Sequence, residues 1–400
     1  MHAPRPVAAL TRAAAVFTVL IFLSLGEERV WGVHGCERGP GGEWNRTSSG
    51  RRADTGYEPL RPCAQQSRSL QEEQSAVDHQ STEYLSNRYW DEHTCGQPEL
   101  MFTCPAASLQ GRRAAGLTTK AEPARWAVIG LLMGGKSWRH YKKGVLRRDR
   151  SIITYLRHVQ WPADRPIDFV YFHEGNMDAR YASRIAAGIP SPHRALFMDV
   201  RTTGAFTRPR GEPDEELGYK MMCEFYTFLY VRLLCDYDFY WRMDDDNQLV
   251  NATGNILADF ELGGHDYAYV HSLMEPHKPT KRTLPTFARR FLQSCGVRPW
   301  CGDRSVDQQN FYNNFHLSRV SRWLQPDVQH FFRHVYLSQG IFDHRWGDST
   351  VQALAAKIFF PPDSIVNIRG VSYIHGSHKS IVRSSTLEER GSATWEKQQR

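Results

Sequence analysis

The string Tyr240-Trp241-Arg242-Met243-Asp244-Asp245-Asp246-Asn247 runs hydrophobic strand residues straight into three carboxylates. Mutual repulsion among three acids at a strand end is costly unless a cation offsets it. In α/β sheets ligands bind at the carboxyl ends of strands, and oxygen donors there suit a hard divalent cation. Asp244 and Asp246, two apart, are expected to point to one side, as a D-x-D metal and diphosphate site requires. The glycine and distal glutamate of a calcium-binding EF loop are missing. Taken alone, the string also fits a solvated acidic turn, and Arg242 either reaches a sugar or diphosphate or simply neutralises its acidic neighbours.

The elements that would hold this turn are legible between residues 123 and 385, where strand-like and helix-like segments alternate as in a single α/β domain. Trp126 to Met133 reads as a buried strand closed by Gly134-Gly135, and 145–159 carries helical spacing. Ile167 to Phe172 and Ala195 to Val200 are the next strands, and 215–235 is a helix leading into the strand that starts at Asp238. Tyr267 to Leu273 reads as one strand, followed by a basic loop within 275–308. Pro326 starts a further helix, and Ser349-Thr-Val-Gln352 has the form of a capping box opening the last one.

Across 400 residues, 41% hydrophobic and 23% charged is ordinary globular composition, which excludes fibrous and wholly disordered classes. A net charge of +7 is mild for this length and requires no nucleic-acid partner. Residues 13–25 are unbroken apolar sequence behind Arg5 and Arg12, which reads residues 1–30 as a signal peptide or short signal anchor. The remainder is then lumenal or extracellular, either secreted or a type II membrane protein. Residues 31–122, rich in Gly, Ser, Gln and charge, read as a largely disordered stem, and 386–400 as a tail. Cys295 and Cys301 are close enough to close a small disulfide loop, whereas Cys223 and Cys235, flanking a helix, read as buried thiols, the connectivity being left open by the sequence. Asn45 and Asn251 head glycosylation sequons.

Five collinear motifs add a second kind of information: Tyr219-Lys-Met-Met-Cys-Glu-Phe-Tyr, Tyr240-Trp-Arg, Phe311-Tyr-Asn-Asn-Phe, Arg345-Trp-Gly-Asp348 and Tyr373-Ile-His375. In order and spacing they resemble the fungal alpha-1,2-mannosyltransferases of glycosyltransferase family 15. The resemblance implies a GT-A-like α/β fold with a central mixed sheet flanked by helices, a GDP-mannose donor, manganese and retention of anomeric configuration. Carried over residue by residue, it implies Asp244, Asp246 and His375 as metal ligands, with Tyr219, Arg242 and Asp246 on the donor. It puts Asp348 on the acceptor and catalytic side, and gives the position of the candidate nucleophile to His316.

His316 is the main departure, because family members carry a glutamate there. Neutral imidazole neither forms a glycosyl intermediate well nor stabilises an oxocarbenium ion. Three readings follow, in order: same-face attack in which the leaving diphosphate takes the acceptor proton, recruitment of another carboxylate, or loss of transferase activity. The Arg-Asn pair that often follows the family's first strand is replaced by Gly134-Gly135-Lys136, which loosens the link to guanosine. The expected function is transfer of mannose from GDP-mannose to a hydroxyl of a mannose-containing glycan or glycoprotein in the Golgi or ER lumen. The alternatives are another nucleotide sugar on the same fold, or a silent glycan- or nucleotide-binding protein.

Overall fold

Trp126–Leu132 (β2) is apolar at every position because both faces of this strand are covered, the pattern of a central parallel strand. It is hydrogen-bonded in parallel to Ile167–His173 (β3) on one side and Phe239–Met243 (β5) on the other, and β3 pairs in parallel with Arg194–Asp199 (β4). The computed structural model describes residues 57–59, 102–114, 123–132, 138–175, 177–207, 216–300, 305–376 and 380–384. The N-terminal apolar segment, most of the stem, Gly134-Gly135-Lys136, Cys301 and the tail lie outside them.

Beyond β5 the sheet turns antiparallel. Phe315–Arg319 (β10) runs against both β5 and Tyr267–Tyr269 (β7), and Ile365–Ile368 (β11) joins β7 in parallel. Tyr57–Pro59 (β1) closes the edge, giving eight strands in the order β1-β11-β7-β10-β5-β2-β3-β4. Asn247–Ala252 (β6), Val371–His375 (β12) and Ser380–Arg383 (β13) form a second sheet, and Ser272–Met274 (β8) pairs with Gln309–Phe311 (β9). Helices flank this mixed sheet, the expected α/β arrangement.

Strand alternation divides the core. Ala127, Ile129, Val170, Phe172 and Tyr240 join one apolar cluster, and Trp126, Val128, Phe169, Trp241 and Met243 the other. Arg242 therefore shares the face of Tyr240, and the register sets His316 directly opposite Arg242 on β10.

Several expectations change. The 215–235 segment is α-helical only over Leu217–Glu224, widens to a π-turn over Phe225–Leu229 and tightens to 3-10 over Tyr230–Leu234. Tyr267 to Leu273 is two strands in two sheets. The basic segment within 275–308 is mostly a helix, Lys278–Ser294, despite Pro285. The Lys281 carbonyl that Pro285 cannot reach accepts instead from Gln308 Nε2 at 3.4 Å. No capping box forms at Ser349: the last helix is Asp348–Phe359, its N-cap is Gly347, and the Gln352 side chain turns inward. The stem boundary also moves. Leu109 is buried, Gln110 donates to the Tyr237 carbonyl at 2.6 Å, and Cys104 is disulfide-bonded to Cys235, so 102–114 packs on the domain. Cys223 is a buried free thiol.

Candidate active site

The acidic string is a tight turn between two sheets: the Asn247 amide donates to the Asp244 carbonyl at 3.0 Å as the chain passes from β5 to β6. The turn gives each carboxylate its own nearest partner. Asp244 Oδ1 accepts from Arg242 Nε at 3.0 Å, Asp245 lies 3.6 Å from His140 Nε2, and Asp246 Oδ1 lies 3.7 Å from His375 Nε2. Asp244 and Asp246, expected on one side, take different nearest partners yet remain within reach of each other's charge, and both act on the Tyr312 hydroxyl. Gly376 permits the approach of β12, since a Cβ there would stand 2.6 Å from the Asp246 carbonyl oxygen.

Arg242 is 3% exposed and held by two carboxylates and an aromatic ring. Beyond Asp244, its Nη1 donates to Asp348 Oδ2 at 2.6 Å, and its guanidinium lies 3.5 Å from the ring centroid of Tyr226 in the π-turn. π-turns recur at functional sites, and this one brings Tyr226 under the cation. Asp348 Oδ2 also accepts from Asn313 Nδ2 at 2.9 Å, and its Oδ1 accepts from the Cys223 thiol at 3.7 Å. Burial pushes the Asp244 carboxyl up to about 6; Arg242 opposes that shift, while the charges of Asp246 and Asp348 add to it. Tyr219 is 38% exposed and packs under the Arg345 guanidinium at 4.3 Å, with its hydroxyl against Gly347. Burial raises that hydroxyl's pKa, helped by Cys223 and Asp348. Arg345 takes a left-handed φ of 57°, a conformation costly for a side-chain-bearing residue and frequent at functional sites.

Six of the seven predicted residues thus meet at one end of the sheet: Asp246 with His375, and Arg242 with Asp244 and Asp348, Tyr219 standing beyond Asp348. His316 does not line this surface. It is fully buried, stacks on Tyr267 with ring centroids 5.0 Å apart, and spends both ring nitrogens on the Asn313 carbonyl (2.8 Å) and the Tyr240 hydroxyl (3.1 Å). Burial and then Arg242 hold its pKa down to about 3, so it is neutral. A direct role at a sugar carbon is corrected on that ground: no lone pair of the ring is left to offer.

The residues between β9 and β10 escaped assignment although their motif was noticed. The Tyr312 hydroxyl meets His375 Nδ1 at 2.7 Å, Asn313 holds Asp348, and the Asn314 carbonyl accepts from the Asp244 amide at 3.0 Å and from Asn247 Nδ2 at 2.8 Å. Two amides inside an aromatic run were the available signal, because a buried amide demands partners. Arg148, wholly buried, donates to the Met243 carbonyl at 3.0 Å just ahead of the turn and occupies space that only Gly130 leaves open.

Among the described residues, one trio of potential ligand atoms lies mutually within 4.8 Å: Cys295, His330 and His334. Cys295 is disulfide-bonded, its partner outside the described residues, so it has no thiolate to offer a metal. The expected Cys295–Cys301 pairing falls in part on Cys301, also outside them. Asp244, Asp246 and His375 form no such closed trio, because Arg242 holds Asp244. Asp246 and His375 remain a carboxylate and an imidazole face to face, and the Tyr312 contact at Nδ1 orients Nε2 toward the carboxylate. That donor set suits manganese, and the hydrogen-bonded second nitrogen is usual for a metal-binding histidine.

Sequence comparison bears on this arrangement directly. Residues 212–400, just under half of the chain, match the family described as glycolipid 2-alpha-mannosyltransferase, a span containing all seven residues predicted for the site. Over that span the chain is similar to this family. Glycolipid 2-alpha-mannosyltransferase 1 of Candida albicans is 29% identical over 170 residues, 39% of each chain. Alpha-1,2 mannosyltransferase KTR1 of Saccharomyces cerevisiae is 25% identical over 206 residues, 47% of this chain and 52% of that one. The matches therefore span about half or less of these relatives' lengths. In three dimensions the chain resembles core-mannan synthase A of Aspergillus fumigatus in its Mn/GDP form, with a TM-score of 0.51 and 16% identity over 70% of this chain and 81% of that one. It also resembles the mannosyltransferase Ktr4p of Saccharomyces cerevisiae, with a TM-score of 0.52 and 15% identity over 80% and 84%. The fold is GT-A-like. Among the described residues no helix is long and apolar enough to cross a membrane.

Proposed function

We propose that this protein is a metal-dependent, retaining glycosyltransferase that moves mannose from GDP-mannose to a hydroxyl of a mannose-containing glycan in the secretory pathway. The observation carrying the proposal is the pairing of Asp246 with His375 at 3.7 Å, beside a buried Arg242–Asp348 pair, at one carboxyl-terminal sheet edge. Similarity of residues 212–400 to a mannosyltransferase family supports the sugar, and the Mn/GDP form of a structural neighbour supports the nucleotide and the ion. Asp246 and His375 would hold a divalent cation, with Asp244 joining if Arg242 releases it. Such an ion neutralises charge on a departing diphosphate.

The chain's own residues do the rest. Arg242 offsets the charges of Asp244 and Asp348. Tyr219 and Arg345 stack at the rim, where they orient the incoming sugar. Asp348 is the carboxylate closest to hand for the acceptor, fixed by Asn313 and Arg242. With His316 sealed away, same-face attack is the chemistry this site supports best, the leaving diphosphate taking the acceptor proton.

The test is manganese-dependent nucleotide release by the full chain across a panel of nucleotide sugars, with and without mannosides. GDP release from GDP-mannose that rises with a mannoside, and stops with chelator, is expected. Release from a different donor would redirect the assignment to another nucleotide sugar, the reading favoured by Gly134-Gly135-Lys136. No release from any donor, by a protein that still binds GDP and manganese, would leave a silent binding protein.

A further inference from the structure

Behind the site, five side chains close a ring of hydrogen bonds. Asn313 Nδ2 lies 3.0 Å from Gln352 Oε1, Gln352 Nε2 3.2 Å from the Tyr230 hydroxyl, and the Tyr230 and Tyr240 hydroxyls 2.6 Å from one another. Tyr240 reaches His316 Nε2 at 3.1 Å, and His316 Nδ1 returns to the Asn313 carbonyl at 2.8 Å. All five residues are buried, Asn313 the most exposed at 5%.

The direction of every hydrogen follows from partners that can only accept. The Asn313 carbonyl requires Nδ1–H on His316, which leaves Nε2 as an acceptor for the Tyr240 hydroxyl. Tyr240 must then accept from Tyr230, and Tyr230 from Gln352. The Gln352 amide is oriented independently, because its nitrogen also donates to the Tyr226 carbonyl. The Asn313 amide is oriented by the Asp348 carboxylate, which takes its other hydrogen at 2.9 Å. No donor of the five is left without an acceptor around the circuit, and reversing a single link would leave His316 Nε2 without a donor or set two amide oxygens against each other. A neutral imidazole is the group this ring needs, since it donates on one side and accepts on the other. A carboxylate at 316 offers no hydrogen to the Asn313 carbonyl and would face Arg242, its cross-strand neighbour, in competition with Asp348.

We propose that His316 is a positioning residue: as the Nδ1–H tautomer it holds the Asn313 backbone by its carbonyl, while Gln352 takes one hydrogen of the Asn313 amide, so that the ring places the other for Asp348 and steadies that carboxylate for the acceptor. The part of this that concerns the acceptor rests on the function proposed above; the ring and its direction do not.

Two measurements on the full chain test it. Neutron diffraction of perdeuterated protein should find deuterium on His316 Nδ1 and none on Nε2; a deuteron on Nε2 overturns the proposal. Tyr240→Phe removes one link without changing charge. Its expected effect is a kcat about tenfold lower at unchanged donor KM, with the Asn313–Asp348 contact opened in the variant's crystal structure. Lower thermal stability with kcat and that contact intact would reduce the ring to a structural element and overturn it. Tyr230→Phe breaks the neighbouring link and serves if Tyr240→Phe does not fold. His316→Asn, which restores a donor near Nδ1, should retain more kcat than His316→Leu. If the wild-type chain transfers no sugar, the functional proposal falls while tautomer and Asn313 position still decide the ring.

Discussion

Two clusters flank the acidic turn and differ in how far their charge is internally balanced. Around Arg242, protein groups satisfy one another: the guanidinium takes Asp244 and Asp348, Tyr226 covers its face, and Asn313 completes Asp348. Around His375, a partly exposed Asp246 stands 3.7 Å from an imidazole, a contact too long for a hydrogen bond. The first cluster is a closely hydrogen-bonded frame, and the second sets a carboxylate and an imidazole, two metal-ligand types, face to face. Preorganised charge on one side lets ligand-dependent charge on the other be read without rearranging the core.

The contrast is broken most severely by Arg242→Met. Leaving Asp244 and Asp348 without their buried cation should cost about 3–5 kcal/mol, measured as a shift in the urea midpoint; an unchanged midpoint would remove the frame. Asp246→Asn should do the opposite, leaving the midpoint nearly unmoved while manganese affinity by calorimetry falls about a hundredfold, the upper end for metal-site losses. Wild-type affinity in that variant would mean the ion binds elsewhere.

A third prediction concerns acid. His316 is held near 3 in the folded chain against about 6.5 unfolded, so between those values the unfolded state binds the extra proton and stability falls as pH falls. The loss is about 1.4 kcal/mol per pH unit, or about 2 kcal/mol from pH 6.5 to 5. In His316→Asn this share of the slope should vanish; two superimposable pH profiles would contradict the buried neutral histidine. The mildest expected change is Tyr312→Phe, which frees the orientation of His375. Manganese affinity should weaken about tenfold with little effect on folding, and an unaltered affinity would show that His375 needs no such guide.

Much of the frame was legible because its signals are local. β2, β3, β4 and β5 announce themselves as apolar runs, and Pro326 starts its helix as expected. The single strand read over Tyr267–Leu273 was too simple because a change of sheet leaves no periodic mark. Pro285 concealed a helix because the compensating donor, Gln308, is distant in sequence. Ser349 and Gln352 matched a capping box in spacing alone, whereas Gln352 is claimed by Tyr230 and Asn313 from other elements.

What the sequence determined by itself is the inventory: three acids after a strand, a histidine at the end of another, and an Arg-Trp-Gly-Asp motif opening a helix. Types, order and alternation are carried by neighbouring residues, so composition and period suffice to read them. Only the tertiary structure decided how those groups divide. The turn after Met243 hands Asp244 to Arg242 and Asp246 to His375, and the antiparallel register of β10 sets His316 behind Arg242. Both outcomes depend on hydrogen-bond partners dozens of residues away, whose demands no local pattern records.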